Sequence, residues 1–349
     1  CAQRVSPAFV AVPLTMPPQI ENPWILRDPA CVERAKDAPP VGLRVFALPQ
    51  AGCGAWQYHG WQKRLPPHAE VLPIEYPGRN SRLREPYNYE SLQSLAVAIV
   101  DNIEELLPGG ETNCFDKNPP YVILGWSMGA WLGYEMVCEI TRRRGDSTTS
   151  QLDLPLALYA GGARAPSLAG PDNDTDRDTP SISTLPVKEF WRAFDRRYGK
   201  NPDLTSPALR QLTLPTLRKD FTLMETYVAS RDTDTVIETQ WDTLDTNKLL
   251  AKKLNASTLR LHIPLVAFGA IGDGRYTEAH IKRWSGVVSC ENGFLYGQIA
   301  TNHFRERWFN GVSPENQSEG KKYWGTPHRM ALDYPDELLQ FLNQEFKVL

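Results

Sequence analysis

Gly125-Trp126-Ser127-Met128-Gly129 sets a serine between two glycines at the spacing GxSxG. A serine hydroxyl is a poor nucleophile at neutral pH unless a base takes its proton during attack, so a serine mechanism needs a histidine and a group that orients the histidine. The pattern alone arises by chance in about one chain of this size in ten. Its surroundings give it weight: Tyr121-Val122-Ile123-Leu124 before it reads as a buried strand, and the stretch from Ala130 to about Thr141 reads as a helix. That strand-turn-helix setting is the one a nucleophile elbow requires, because the flanking glycines let strand and helix approach closely around a strained turn. Ser127 is the expected nucleophile.

In the fold built around such an elbow the partners follow in the order serine, acid, histidine, each in a loop after a strand. Of the six histidines, His59 and His68 precede the serine, His262 begins a strand and His280 falls in a predicted helix. His303, just after a strand expected over Phe294–Ile299, and His328, in a polar loop, remain; position favours His303 as the base. Asp273 follows the strand Leu265–Phe268 directly through Gly269-Ala270-Ile271-Gly272, which puts it at the carboxyl edge of the sheet. The loop after the preceding strand, Gly161 to Leu168, holds no carboxylate, so Asp273 is the expected orienting acid. Acyl transfer builds negative charge on a carbonyl oxygen, which two backbone N–H groups receive. Met128, after the nucleophile, and Ala51, in the Gly-rich loop Pro49-Gln50-Ala51-Gly52-Cys53-Gly54, are the expected donors, with Gln50 as the neighbouring candidate.

The elements that must hold these residues follow from periodicity. Leu43–Leu48, Glu70–Tyr76, Tyr121–Leu124, Leu156–Ala160, Ile263–Phe268 and Phe294–Ile299 read as strands, and Tyr89–Leu107 carries apolar residues at helical spacing. Strands alternating with helices predict an α/β-hydrolase fold: a mostly parallel central sheet flanked by helices. Ala165–Ser183, rich in Pro, Asp and Thr, is expected to be a mobile loop, and Leu185–Ala229 is helical without a strand. The domain plan is an extended, Pro-rich N-terminal arm over 1–41 and a single domain over 42–349, with a helical lid at about 183–245.

Composition sets outer bounds. The 349 residues, 41% hydrophobic, suffice for a substantial core, and a net charge of −3 gives no reason to expect a nucleic acid partner. No run of eighteen apolar residues suggests a membrane span. The six cysteines lack CxxC or metal-ligand spacing, which points to a reducing, cytoplasmic setting with no metal. Cys1 in place of Met implies a segment upstream: a targeting peptide, a boundary or a larger chain.

With these landmarks in place, roughly Asn22 to Leu349 resembles the type II thioesterases that serve polyketide synthases and nonribosomal peptide synthetases. The resemblance rests on Asn22-Pro23-Trp24, Pro49 to Gly54, Tyr76-Pro77-Gly78-Arg79 with Arg82 and Glu85-Pro86, the elbow, Gly162-Ala163-Arg164-Ala165-Pro166, and Leu217-Arg218-Lys219-Asp220-Phe221 with Glu225 and Tyr227. It departs from the family at Trp126, where a histidine is usual, at Cys53, where a glycine is usual, and at Thr301-Asn302, where two glycines commonly precede the histidine. Extra segments at about 230–261 and 305–329 add to these. The resemblance implies hydrolysis of acyl thioesters on the phosphopantetheine arm of an acyl or peptidyl carrier protein, in polyketide, nonribosomal peptide or fatty acid biosynthesis, with no cofactor. The carrier protein, or its synthase, is the implied partner. Arg142-Arg143-Arg144, or Arg79 with Arg82, are candidate docking cations for an acidic carrier. Competing readings are an esterase or lipase on oxygen esters, a noncatalytic acyl- or partner-binding protein of the same fold, and a releasing domain that cyclises its product.

Overall fold

The computed structural model describes residues 22–26, 33–109, 118–145, 152–199, 204, 206–230, 260–289, 304–310 and 327–349. Its centre is a six-stranded, wholly parallel sheet: β1 (Leu43–Leu48), β2 (Ala69–Pro73), β3 (Tyr121–Trp126), β4 (Leu158–Gly161), β5 (Leu265–Ile271) and β6 (Phe304–Asn310), in the order β2-β1-β3-β4-β5-β6. The central strands β3, β4 and β5 are apolar throughout because both faces are covered, and alternate residues enter opposite cores. Phe46, Leu48, Tyr121, Ile123, Leu158, Ala160, Leu265 and Ala267 join one cluster. Val45, Ala47, Val122, Leu124, Tyr159, Val266 and Phe268 join the other.

The first cluster is closed by α1 (Leu92–Ile103) and α2 (Met128–Gly145). Helix α1 starts at a reciprocal cap, in which the Ser91 side chain accepts from the Ser94 N–H and the Ser94 hydroxyl accepts from the Ser91 N–H. Its Leu92, Leu95, Ala96, Ile99, Val100 and Ile103 form the buried stripe, at the spacing that the sequence leads one to expect.

Between β4 and β5 the chain leaves the sheet and forms α3 (Val187–Tyr198) and α4 (Pro207–Glu225). Phe190, Trp191, Phe194, Tyr198, Leu217 and Phe221 make a third cluster inside this insertion. The remaining α-helices of the described residues are the short α5 (Glu278–Lys282) and α6 (Met330–Asp333), and α7 (Asp336–Phe346), whose Leu338, Leu339, Leu342 and Phe346 close the second sheet cluster.

Two expectations need correction, the free loop over 165–183 and the Arg79/Arg82 docking patch; two others lie outside the described residues. The last described strand is Phe304–Asn310; the expected one, Phe294–Ile299, and the lid beyond residue 230 lie outside the described residues. The Pro- and Asp-rich stretch 165–183 is not a free loop. Asp174 is buried and forms a two-pronged ion pair with Arg275, Arg164 donates to the carbonyls of Asn173 (2.9 Å) and Gly170 (2.8 Å), and Asp176 pairs with Arg197 at 2.8 Å. Its acids have basic partners elsewhere in the chain, which composition alone does not reveal. Of the expected N-terminal arm, Asn22–Leu26 packs on the domain: Ile25 bridges Ile74, and the Arg82 guanidinium lies 4.2 Å from the centre of the Trp24 ring. Arg82 and Arg79 are therefore buried structural cations and not a docking surface, and Arg143 is likewise engaged by Asp101, Glu104 and Glu139. No helix of the described residues is long and apolar enough to cross a membrane.

Candidate active site

Every strand of a parallel sheet delivers its following loop to the same edge. At that edge lie Pro49–Gly54 after β1, Ser127 after β3, Gly162 after β4 and Gly272-Asp273 after β5. Ser127 has φ 55°, in the left-handed region that costs a side-chain-bearing residue about 1–2 kcal/mol. The neighbours hold it there. Its N–H donates to Gly161 O at 2.8 Å, and its carbonyl accepts from the Ala130 N–H at 3.0 Å. The two glycines of the motif are required by contact: a Cβ on Gly125 would fall 2.0 Å from Gly129 O, and one on Gly129 would fall 2.1 Å from Leu48 O.

Asp273 is buried, and its Oδ1 accepts the Arg275 N–H at 2.8 Å. Its Oδ2 lies 3.0 Å from Nδ1 of His328, which is also buried. The structure thus gives the acid a different histidine from the one favoured by sequence. His303 itself lies outside the described residues, but Phe304, the next residue, opens β6 level with Leu265, the first residue of β5. Asp273 follows the other end of β5, a seven-residue strand that spans roughly 20 Å at about 3.3 Å per residue. β6 is the last described strand, and among the described residues the histidine beside Asp273 is His328.

Three aromatic residues surround His328: Tyr276 (ring centres 5.2 Å apart), Tyr198 of α3 (5.4 Å) and Trp126 of the elbow (6.4 Å). Burial pushes the Tyr276 hydroxyl up to about 12, so it stays a neutral group at physiological pH. Trp126 also donates its indole N–H to the His328 carbonyl at 2.9 Å. The residue just before the nucleophile thereby fixes the backbone of the histidine, a role for this departure from the family pattern that sequence reasoning missed. Its signal was a buried indole N–H needing an acceptor.

In the loop after β1, the Gln50 N–H donates to Gln57 Oε1 at 2.9 Å and the Cys53 N–H to Gln50 O at 3.1 Å. The Met128 N–H sits at the start of α2, where a helix leaves its amides free for an anion. Tyr198 and Tyr276 also line a small cleft with Trp131, Phe221 and Met224 and with the charged Arg164, Asp174, Arg197, Glu225 and Arg275. Phe190, Trp191 and Phe194 belong to the insertion's core, whereas Phe221 touches both that core and the cleft, which Met224 also lines.

A parallel sheet flanked by helices, with a strained serine between β3 and α2 and a buried Asp–His pair at the same edge, defines an α/β-hydrolase. Comparison with known proteins narrows the class. The sequence model of the family "Thioesterase domain" matches residues 43–265. Among curated relatives, the linear gramicidin dehydrogenase LgrE of Brevibacillus parabrevis is 32% identical over 187 residues, 52% of this chain and 62% of that protein. The thioesterase PikA5 of Streptomyces venezuelae is 31% identical over 198 residues, 56% of this chain and 62% of its own length. Among solved structures, the RedJ thioesterase from the prodiginine biosynthetic pathway of Streptomyces coelicolor has a TM-score of 0.60 at 26% identity, covering 90% of this chain and 96% of RedJ. The chain belongs to the thioesterase domain family, and its likeness to type II thioesterases holds in sequence and in fold.

Proposed function

We propose that the protein hydrolyses acyl thioesters through an acyl-enzyme on Ser127, with His328 as the base, Asp273 as its orienting acid, and the Ala51 and Met128 N–H groups as the oxyanion hole. The observation that carries this reading is the buried 3.0 Å pair of Asp273 and His328 at the sheet edge that presents Ser127. An ionised aspartate only accepts hydrogen bonds, so Nδ1 of His328 carries the proton and Nε2 is left as the acceptor that a serine proton requires. Ser127 Oγ attacks the thioester carbonyl as Nε2 takes its proton; the carbonyl oxygen turns negative, and the two amides receive it. Collapse of this intermediate expels the thiol with the proton from His328, and water activated by the same nitrogen then cleaves the acyl-enzyme. No metal or organic cofactor enters this scheme.

The proposed substrates are acyl groups on the phosphopantetheine arm of a carrier protein, consistent with relatives named for gramicidin S and cadicidin biosynthesis and a fold neighbour from prodiginine biosynthesis. The insertion serves as the lid. With Ser127 only 4% exposed, an acyl chain enters when α3 and α4 shift from the sheet edge.

Single-turnover hydrolysis of acyl-carrier and acyl-CoA thioesters, with matched oxygen esters, tests the reading in the wild type and in Ser127→Ala. Thioester cleavage that vanishes in the variant is the expected result. Cleavage of oxygen esters alone would replace the thioesterase reading with an esterase.

A further inference from the structure

Four consecutive amides run through the loop after β1, and three are committed: Gln50 to Gln57 Oε1 (2.9 Å), Gly52 to Asp220 Oδ2 (2.7 Å) and Cys53 to Gln50 O (3.1 Å). The Ala51 N–H alone has no partner among the described residues.

The residue that takes the Gly52 amide does not belong to the loop or to the sheet. Asp220 stands on α4, 168 positions away, and is fully buried. Arg79 pairs with it through two bonds, Nη2 to Oδ1 at 2.8 Å and Nη1 to Oδ2 at 3.1 Å, and the same Nη1 donates to the Cys53 carbonyl at 2.8 Å. The loop is thus gripped at the Gly52 N–H and at the Cys53 C=O by one ion pair. The shapes fit as well. Gly52 has φ 74°, and a Cβ there would fall 2.4 Å from Cδ2 of Leu217, a residue of α4 nearly one turn before Asp220.

We propose that Asp220 is a positioning residue for the oxyanion loop: by holding the Gly52 amide, and through Arg79 the Cys53 carbonyl, it leaves the Ala51 N–H turned to Ser127 only while α4 is seated. The inference rests on the thioesterase reading given above. Arg79 has a second part in it. An unpaired carboxylate this close would repel the negative charge that develops on the substrate oxygen, and the bidentate guanidinium cancels it. The lid helix and the oxyanion hole then form one unit, so that the hole is complete only over a closed site.

The test compares two double variants that both remove the buried charges, since Asp220→Asn alone would strand Arg79 without a counter-charge. Asp220→Asn/Arg79→Gln keeps an acceptor for the Gly52 N–H; Asp220→Ala/Arg79→Gln does not. The expected result is a kcat for thioester hydrolysis about 10-fold or more lower in the alanine pair than in the asparagine pair, within the range known for loss of an oxyanion donor. KM should stay within about two-fold, because the acyl contacts are untouched. A trifluoromethyl ketone analogue of the acyl thioester adds a spectroscopic reading: its hemiketal oxyanion, followed by fluorine NMR, should titrate at higher pH in the alanine pair. Equal kcat and equal hemiketal titration in the two pairs would overturn the proposal. So would an equal loss in Thr216→Val, which removes a different tie of α4, the 3.0 Å bond from Thr216 Oγ1 to Gly78 O, without touching the loop. Wild-type protein that neither cleaves thioesters nor forms the hemiketal would instead sink the thioesterase reading, and this inference with it.

Discussion

Asp273 and His328, 55 residues apart in the chain, meet at 3.0 Å in a pocket where both are buried. His328→Ala should therefore lower kcat by about 10⁴- to 10⁶-fold, as loss of the base of such a triad does, with folding intact by circular dichroism. His303→Ala should stay within about two-fold of wild type. A large loss in the second variant and none in the first would restore the assignment that the sequence favoured.

Trp126 joins the elbow to the histidine. Trp126→Phe keeps most of the ring but loses the 2.9 Å bond to the His328 carbonyl, leaving a buried acceptor unpaired. Stability should fall by about 1–3 kcal/mol, and kcat by roughly tenfold, as His328 loses its backbone anchor. Chemical denaturation and steady-state kinetics measure the two effects.

Gly129→Ala tests the elbow's packing. The added methyl would lie 2.1 Å from Leu48 O, and a backbone carbonyl inside the sheet has little room to retreat. A loss of about 3 kcal/mol in unfolding free energy is expected, against under about 0.5 kcal/mol for Gly145→Ala at the end of α2, where the methyl meets nothing.

Glu135 on α2 predicts a pH dependence. Burial raises its pKa above the ordinary value, although the Tyr227 hydroxyl (2.6 Å), the Ser230 N–H (3.0 Å) and the Gln93 amide (3.3 Å) all donate to its carboxylate. The folded state thus holds the proton more tightly than the unfolded chain does. Stability from this group is fully present below the unfolded pKa and declines as pH rises through the folded one. The difference in unfolding free energy between wild type and Glu135→Gln should fall over that window. A difference flat in pH would contradict it.

The five strands β1 to β5 were legible because burial on both faces leaves each a mainly apolar run, interrupted only by Arg44 in β1 and Glu70 in β2. Phe304–Asn310, FRERWFN, was not, because an edge strand needs no such run: it carries charges, and Arg305 pairs with Glu345 of α7. His303 was favoured because it follows the run Phe294–Ile299, which lies outside the described residues; the described strand after it, Phe304–Asn310, runs on toward the edge where Asp273 meets His328. Ser127 and Asp273 were readable because each comes within a few residues of a buried strand end, whereas His328 sits in a three-residue turn, Pro327–Arg329, with no described strand directly before it. The contact of Asp220 with Gly52 has no local signature at all, since its partners lie 168 positions apart.

The aromatic cluster of the insertion shares no residue with the two clusters that face the sheet. A segment with its own apolar centre gains and loses its order as a cooperative unit, at a lower free energy than the framework on which it rests. In deuterated solvent the amides of α3 and α4 would then exchange in concert and ahead of those in β1 and β3. The enzyme's slow breathing would be concentrated above the serine, while the sheet stays as still as a crystal.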